Sequence, residues 1–492
     1  MESFQNEAQY ESGPNYSERK YTTESTTQLT RTSRQDPYNF KLHNFFLIKN
    51  ILLCSPEWLT RKTLPSVCNR NIELPLRFPS YDSYVETFRK RLTVEIWESL
   101  LREYLQIKTP NYNSFYYTIK SRTHKHGITE LQCESLTNKE AAFCPTEGSV
   151  ILLKFKEEEE GTKFIFGYIK SHKLEKRCDF EELSEWVTIP EEWKLSTRLW
   201  KFSLSIKESM QNADLGLVNL AQGIVNIKHK IQLLEALFMF KQSPLQKDIL
   251  EPSREMFSFY ESTRRLFQTQ LIQIVHNEIT KENPKNKTIL INAPDGTSAI
   301  TDFVRNIFFE GKRTMKILLC APTNMSVDEL GIRLIELNER SRYRNYPIKF
   351  IRFGKVNKEI KKLYNYTFEM QALKMCKKLH GKEIPENHSI KKNLENIILK
   401  QSNIILTTLD SCMHPLISKF FNNCSNEEKA CSIVDDASSI KEIEILQCLN
   451  PKVDRLVLVG DVKNLSPPNT SAYASNYSIN HSNRSLMERF LI

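Results

Sequence analysis

The second half of the chain alternates short apolar runs with segments of mixed polarity. Five runs are almost wholly apolar and fall at residues 288–291, 316–320, 403–406, 432–434 and 456–459. Strands that are buried on both faces of a parallel sheet have this composition. Because helix-like segments separate these runs, residues 263–492 are predicted to form one α/β domain around a parallel sheet.

The first half of the chain shows other patterns. Residues 1–38 are polar, and a disordered tail is predicted because such a segment cannot bury enough apolar surface to offset its ordering entropy. Residues 39–110 are predicted to be a mixed helical region, with apolar residues from Tyr84 to Leu101 near one helical face. Residues 111–195 are rich in β-branched and aromatic residues, which favours a small β-barrel.

A helical stalk is predicted over residues 196–262, with a long helix at 203–241. Apolar residues from Leu217 to Phe238 alternate spacings of three and four, as in the seam of a coiled coil. Gly216 and Gly223 weaken this helix. The shortness of the seam favours a stalk within one chain over a dimerising coiled coil.

Composition and charge narrow the class of protein. The 492 residues carry 69 Lys and Arg against 59 Asp and Glu, a net charge of +10 that suits a polyanionic partner and equally fits a merely basic protein. No membrane association is expected, since no apolar run could span a bilayer, and no secretory signal is recognised. The 11 cysteines form no C-x-x-C pair, so we expect reduced thiols, no zinc site, and a nuclear or cytoplasmic location, nuclear being favoured.

The segment from Ile289 to Ile300 has the shape of a phosphate-binding loop: an apolar strand, a Pro/Gly turn and a helical stretch. A working loop needs glycines whose N–H groups cradle phosphate, a Lys that neutralises it and a hydroxyl that binds magnesium. Here Ala299 stands at the lysine position, Ile300 at the hydroxyl position and Ser298 at a glycine position. We therefore expect a loop that keeps its scaffold and has lost its phosphate chemistry.

Several motifs, in order, resemble the first motor domain of superfamily 1 RNA/DNA helicases, in the group that contains senataxin and the nonsense-decay helicase. They read LFQTQ at 266–270, CAPTNMSVDEL at 320–330, TTLDS at 407–411, VDDAS at 434–438 and GDVKNLSP at 460–467. The family's own versions of the last four read C-A-P-S-N-x-x-V-D-E-L, T-T-L-S-S, V-D-E-A-S and G-D-x-x-Q-L-P-P. The resemblance implies a RecA-like domain preceded by an inserted barrel and helical arms.

The resemblance also implies roles for individual residues. It implies a nucleotide site in which Asp435 holds magnesium. The other members of this site are Gln270, Gly296, Thr297, Ala299 and Asp461. It implies contacts to the sugar-phosphate backbone of single-stranded RNA or DNA from Pro322, Thr323, Asn324, Thr407 and Thr408. Residues of these two loops can equally persist as caps and turns that stabilise the fold.

Departures from the family pattern decide the expected function. Asp436 replaces the Glu that orients the attacking water, and Asn464 replaces the Gln that senses the γ-phosphate. With Ala299 and Ile300, these changes predict that no catalytic residue set is intact and that Asp435, Asp436 and Asn464 are vestigial. No cofactor is expected unless residual binding of ATP and magnesium persists. The sequence ends at Ile492, just after the first motor domain, so we expect the family's second RecA-like domain to be absent from this chain and do not expect this chain alone to unwind nucleic acid.

Three functional hypotheses stay open. The preferred one is a catalytically degenerate helicase-like protein that acts as a nucleic-acid-associated binding or scaffold module in RNA or chromatin metabolism. The second is an ATP-dependent helicase whose second motor domain lies in a longer chain or in a partner. The third is a scaffold that binds protein partners through its stalk or barrel and binds no nucleic acid.

Overall fold

The described part of the chain consists of a β-barrel, a parallel sheet and the helices that pack on both. A computed structural model describes residues 40–62, 74–107, 114–138, 146–157, 161–177, 197–207, 218–252, 257–261, 265–281, 287–294, 296–309, 315–340, 348–357, 359–380, 388–424, 428–461 and 484–492, with single positions 65, 72, 463 and 467. The tail predicted at 1–38 lies outside these ranges.

Three described helices precede the barrel: α1 (Phe40–Leu53), α2 (Glu57–Thr60) and α3 (Tyr81–Gln106). The hydroxyl of Ser80 accepts the Ser83 N–H at 3.1 Å and caps the start of α3. Apolar residues at helical spacing give α3 a buried face, as the sequence predicts: Tyr84, Val85, Phe88, Leu92, Ile96, Trp97, Leu100 and Leu101.

Six antiparallel strands form the barrel. They are β1 (Ser114–Lys125), β2 (Ile128–Asn138), β3 (Ser149–Glu157), β4 (Gly161–Arg177), β5 (Thr197–Lys207) and β6 (Val218–Asn226), closed in the order β1-β2-β5-β4-β3-β6. Inward side chains fill the interior, among them Phe115, Tyr117, Leu131, Leu153, Ile169, Phe202 and Leu204. The barrel therefore exists, but it includes β5 and β6, which lie beyond the predicted boundary at residue 195.

The predicted stalk helix at 203–241 is wrong over its first part. Residues up to 207 belong to β5 and residues 218–226 to β6, so the α-helix is α4 (Lys228–Met239), followed by a 3₁₀ turn at Phe240–Gln242. Ile224 is an extra residue in β6, since Ile151 pairs with Gly223 while Val150 pairs with Val225. This bulge breaks the alternation of a strand and leaves apolar residues at mixed spacings, which imitate a heptad seam.

The parallel sheet contains seven strands in the described part of the chain. They are β7 (Phe257–Glu261), β8 (Thr288–Asn292), β9 (Met315–Ala321), β10 (Phe350–Arg352), β11 (Ile404–Thr408), β12 (Lys429–Val434) and β13 (Arg455–Gly460), in the order β10-β11-β9-β12-β13-β8-β7. The five apolar runs of the sequence correspond to β8, β9, β11, β12 and β13. The α/β class and the RecA-like parallel sheet are thereby confirmed.

Helices cover both faces of this sheet. One face packs against α6 (Arg265–Thr280), α7 (Gly296–Phe309), α8 (Asn324–Arg340) and α9 (Lys361–Tyr364). The other packs against α10 (Phe368–His380), α11 (His388–Gln401), α12 (Pro415–Asn422), α13 (Glu442–Ile445) and α14 (Leu486–Leu491), and against α4, α5 (Gln246–Leu250) and the first half of α3. None of the described helices is both long and apolar enough to cross a bilayer.

Helix α3 joins the sheet domain to the barrel. Its residues up to Leu92 belong to the core of the sheet domain, whereas Ile96 to Leu101 pack with the barrel. At the boundary, the carboxylate of Glu95 accepts Lys441 Nζ from the sheet domain at 3.2 Å and Lys230 Nζ from α4. Burial raises the pKa of Glu95, but the two ammonium groups outweigh burial and hold it at about 2.

A buried ion pair fixes α14 against the start of α3. Arg489 donates from Nε and Nη2 to the two carboxylate oxygens of Glu442, each at 2.8 Å, and both side chains are almost fully buried. The Tyr84 hydroxyl donates to the same carboxylate at 2.8 Å, and Arg489 Nη1 donates to the carbonyl of Leu76 at 2.9 Å.

Removal of one partner of this pair is expected to be costly. Arg489→Met leaves the Glu442 carboxylate buried without its cation, and breaking such a pair costs about 3–5 kcal/mol. Urea unfolding followed by tryptophan fluorescence measures the loss. The matched control is Arg340→Met, because Arg340 is 81% exposed and lies 3.8 Å from Glu336, so less than about 1 kcal/mol is expected. Equal losses in the two variants would contradict the assignment.

Candidate functional site

The loops that follow the parallel strands converge at one edge of the sheet. Because all pairings in this sheet are parallel, the carboxyl ends of β8, β9, β11, β12 and β13 meet there. Most of the predicted site residues lie at this edge: Gly296, Thr297 and Ala299 after β8, Pro322, Thr323 and Asn324 after β9, Thr407 and Thr408 in β11, Asp435 and Asp436 after β12, and Asp461 after β13. Gln270 lies in α6 with its side chain outside the described part, and Asn464 is outside the described residues.

The loop after β8 contacts the carboxylate at the end of β12. Thr297 Oγ1 donates to Asp435 Oδ2 at 3.1 Å, and the Asp436 N–H donates to Asp435 Oδ1 at 3.0 Å. A Cβ atom at Gly296 would lie 2.7 Å from Asp435 Oδ1. A larger residue at 296 would therefore have to displace this carboxylate or the loop.

The two positions where the family pattern has a lysine and a magnesium-binding hydroxyl are part of the hydrophobic core. Ala299 is 5% exposed and Ile300 is 1% exposed, and both belong to the apolar cluster that includes Phe303, Val304 and Val459. The described residues of the loop thus offer the hydroxyls of Thr297 and Ser298 and no cationic side chain.

A charged residue that the sequence analysis did not single out reaches the loop from the neighbouring helix. Arg333 in α8 donates from Nη1 to Ser298 Oγ and from Nη2 to Glu329 Oε1 at 2.9 Å. The sequence does predict the pair between Glu329 and Arg333, because the two residues are four positions apart and therefore lie on one face of the helix that carries the next motif. Its position beside Ser298 depends on the packing of α7 against α8.

The Asp435 carboxyl titrates close to neutral pH. Burial raises its pKa to about 6, the hydrogen bonds from Thr297 and the Asp436 N–H oppose this shift, and the charges of Asp436 and Glu329 add to it. No cation in the described residues contacts this carboxylate. Its environment therefore favours the protonated form more than that of an ordinary aspartate does.

The other two acidic residues of the site bond to their own turns. Asp436 has φ 51° and ψ 36°, a left-handed conformation that Asp tolerates better than most residues, and its Oδ2 accepts the Ser439 hydroxyl at 2.6 Å. Asp461 Oδ1 accepts the Lys463 N–H at 2.9 Å. Both carboxylates thus already serve local backbone geometry.

The loop after β9 is exposed and anchored from within. Pro322, Thr323 and Asn324 are exposed, Thr323 Oγ1 accepts the Ser326 N–H at 3.1 Å, and Asn324 Oδ1 accepts Arg352 Nη2 at 3.0 Å. Arg352 itself is fully buried and donates to Asp328 at 2.7 Å. These side chains have structural roles as a cap and an anchor, while the loop surface stays accessible.

The end of β11 and the loop after it differ in exposure. Thr407 is fully buried, and its hydroxyl oxygen has no hydrogen-bond partner among the described residues, so its side chain does not reach the surface. The Thr408 hydroxyl lies 3.3 Å from that of Ser411. The exposed group of this loop is Asp410, which is 69% exposed and lies 3.3 Å from His229 Nδ1 of α4.

Replacement of Asp435 by Asn is expected to stabilise the protein at neutral pH. The folded-state pKa of about 6 exceeds the ordinary 3.8, so the folded state holds the proton more tightly, and the stability contribution becomes unfavourable as the pH rises. Ionisation of Asp435 in the folded protein lowers the free energy of unfolding by on the order of 3 kcal/mol at pH 7. This cost disappears as the pH falls toward the ordinary pKa of aspartate. Thermal unfolding should therefore show a gain for Asp435→Asn at roughly pH 7.5 that shrinks at roughly pH 5. Asp302→Asn, at a position 40% exposed, serves as the control, and a pH-independent loss in Asp435→Asn would refute the shift.

The part of the chain that forms this edge also matches known proteins in sequence. The family model described as an AAA domain matches residues 268–382 and 361–472. Probable helicase senataxin of Homo sapiens is 22% identical over 523 residues, which cover 85% of this chain and 19% of that protein. Regulator of nonsense transcripts 1 of Caenorhabditis elegans is 24% identical over 236 residues, and its homolog in Neurospora crassa is 25% identical over 227 residues.

The last two alignments cover 45% and 43% of this chain and 21% and 19% of those proteins. The chain thus spans about a fifth of the length of the relatives named here. Motif order, the parallel sheet and the relatives all agree, and together they support the superfamily 1 helicase family for this chain, in the group of senataxin and the nonsense-decay helicase.

Proposed function

We propose that this chain is a catalytically degenerate helicase-like protein that binds single-stranded nucleic acid without turning over ATP, as a binding or scaffold module in RNA or chromatin metabolism. One observation carries the proposal. Ala299 and Ile300 are packed into the hydrophobic core at the two positions where phosphate and magnesium chemistry would need a cation and a hydroxyl. A nuclear or cytoplasmic location fits this role, and we favour the nucleus.

The remaining groups do not fit a magnesium–nucleotide complex. Charge-assisted hydrogen bonds are worth roughly 1.5–3 kcal/mol each, and the described loop supplies no cation for them. Asp435, the expected magnesium ligand, accepts the Thr297 hydroxyl and has a pKa near neutrality after burial. A preorganised transition-state donor contributes on the order of a hundredfold in rate or more, so the joint loss of such groups removes useful hydrolysis.

Purified protein is expected to show no magnesium-dependent ATP binding in calorimetric titration. It is also expected to hydrolyse ATP no faster than Asp435→Ala, with or without added single-stranded RNA. The Asp435→Ala variant separates the site from contaminating enzymes, because a contaminant is unaffected by the substitution. RNA-stimulated hydrolysis that disappears in Asp435→Ala would overturn the degenerate assignment.

The surface for nucleic acid is the exposed part of the same edge. Pro322 to Asn324 are exposed at the start of α8, and the N-terminus of a helix of this length favours an anion. Backbone N–H groups and small polar side chains suit sugar-phosphate contacts without base reading. In the neighbouring loop, the exposed Asp410 opposes the approach of phosphate, where the family pattern has a serine.

Binding of a labelled oligouridine is expected to weaken as salt rises, with a slope of about −0.7 per phosphate contact for a single strand. Asp410→Ser is expected to tighten binding at low salt, because it removes a negative charge from the loop that faces the strand. Asp302→Ser makes the same charge change in α7, more than one turn along the helix from Thr297, and is expected to change affinity less. Fluorescence anisotropy measures both, and no binding of oligouridine or oligothymidine at low salt would contradict the nucleic-acid part of the proposal.

An active helicase is the second candidate. It is favoured by the relatives, one of which is described as a probable helicase, and by the small share of their length that this chain spans. Such an activity would need a second motor domain from elsewhere. The ATP experiment above distinguishes the two candidates, because an active helicase must bind nucleotide.

A further inference from the structure

A groove lies between the N-terminal helices and the outer face of the barrel, far in sequence from the helicase motifs. Its volume is about 480 Å³. The corner between α1 and α2 supplies one wall through Leu53 and Pro56, and the β3–β4 hairpin supplies the other through Phe164. Leu59, Leu152 and Ile165 also line it, so its surface includes several aliphatic side chains.

Some apolar side chains at the groove are exposed, whereas apolar side chains next to them on the same face are buried. On the outer face of β3 and β4, Leu152 and Phe166 are buried, with the Phe166 ring 6.1 Å from that of Trp58 in α2. Two residues further along β4, Phe164 is 47% exposed, and Leu53 across the groove is 40% exposed. The apolar strip therefore continues past the end of its helical cover.

Two lysines lie at the groove. Lys207 lines it, and Lys154 is the cross-strand partner of Phe164, so both side chains lie on the same face of the hairpin. Neither lysine has an ion-pair partner among the described residues. Glu57 is the acidic residue of the lining, and Arg61 already pairs with it at 3.2 Å. The groove thus combines an apolar floor with two lysines that lack a counter-charge.

We propose that this groove docks a segment of a partner protein, a short peptide with bulky apolar anchors flanked by acidic residues. The anchors would occupy the space between Leu53 and Phe164, and the carboxylates would meet Lys154 and Lys207. Binding modes of this kind use a few buried anchors for affinity and charge for selectivity. The site depends on the barrel and not on the nucleotide loop, so it stands apart from the function proposed above.

The probe is a fluorescein-labelled synthetic peptide with Leu and Phe at helical spacing and Glu at the other positions. Fluorescence anisotropy should show saturable binding to the full chain, weakened by about tenfold or more in Phe164→Glu. The matched control is Phe259→Glu, because Phe259 is 42% exposed on β7, away from the groove. Both substitutions lie at exposed positions, and equal unfolding midpoints verify that each variant is folded.

Charge reversal gives an independent test. The Lys154→Glu/Lys207→Glu variant should lose affinity for the acidic peptide and gain affinity for a peptide in which Lys replaces every Glu. Equal binding of both peptides by the wild type, or equal loss in Phe164→Glu and Phe259→Glu, would overturn the proposal. Self-association of the wild type that Phe164→Glu abolishes would also overturn it, since the occupant would then be a second copy of this chain.

Discussion

The buried pair between Arg489 and Glu442 joins elements that are far apart in sequence. Glu442 follows β12, Arg489 lies in α14, and the hydroxyl of Tyr84 brings the start of α3 to the same carboxylate. A desolvated pair of this kind contributes little net stability over an apolar substitute, but each partner alone would be strongly unfavourable. The constraint it imposes is geometric, because one carboxylate bonds to side chains from two other elements.

That constraint sets the rest of the architecture. Helix α3 packs its first half on the sheet domain and its second half on the barrel, so fixing its start also orients the barrel. A second charged cluster lies at the boundary between the sheet domain and the barrel, where Glu95 of α3 pairs with Lys230 of α4 and with Lys441 of the sheet domain. The groove between α2 and the β3–β4 hairpin is a consequence of this arrangement, because the helices that brace the barrel cover only part of its outer face.

The sequence predicted the sheet domain well and the middle of the chain less well, for physical reasons. Buried parallel strands have a composition of their own, so β8, β9, β11, β12 and β13 could be placed from apolar runs, and the motifs after them had to meet at one edge. The predicted boundary between barrel and stalk was based on the spacing of apolar residues, and the bulge at Ile224 disturbs the alternation that would have indicated a strand. The burial of Thr407 and the contact of Arg333 with Ser298 depend on packing between elements, and no local pattern encodes them.

The close approach of Gly296 to Asp435 bears on what a glycine in such a loop signifies. A side chain at 296 would collide with the carboxylate whether or not phosphate ever binds there. The constraint on position 296 therefore comes from the side chains of Asp435 and Val459, and it does not depend on which residues stand at 299 and 300. In this fold, a loop glycine reports on steric fit, and the test of nucleotide chemistry rests on the charged and hydroxyl-bearing positions alone.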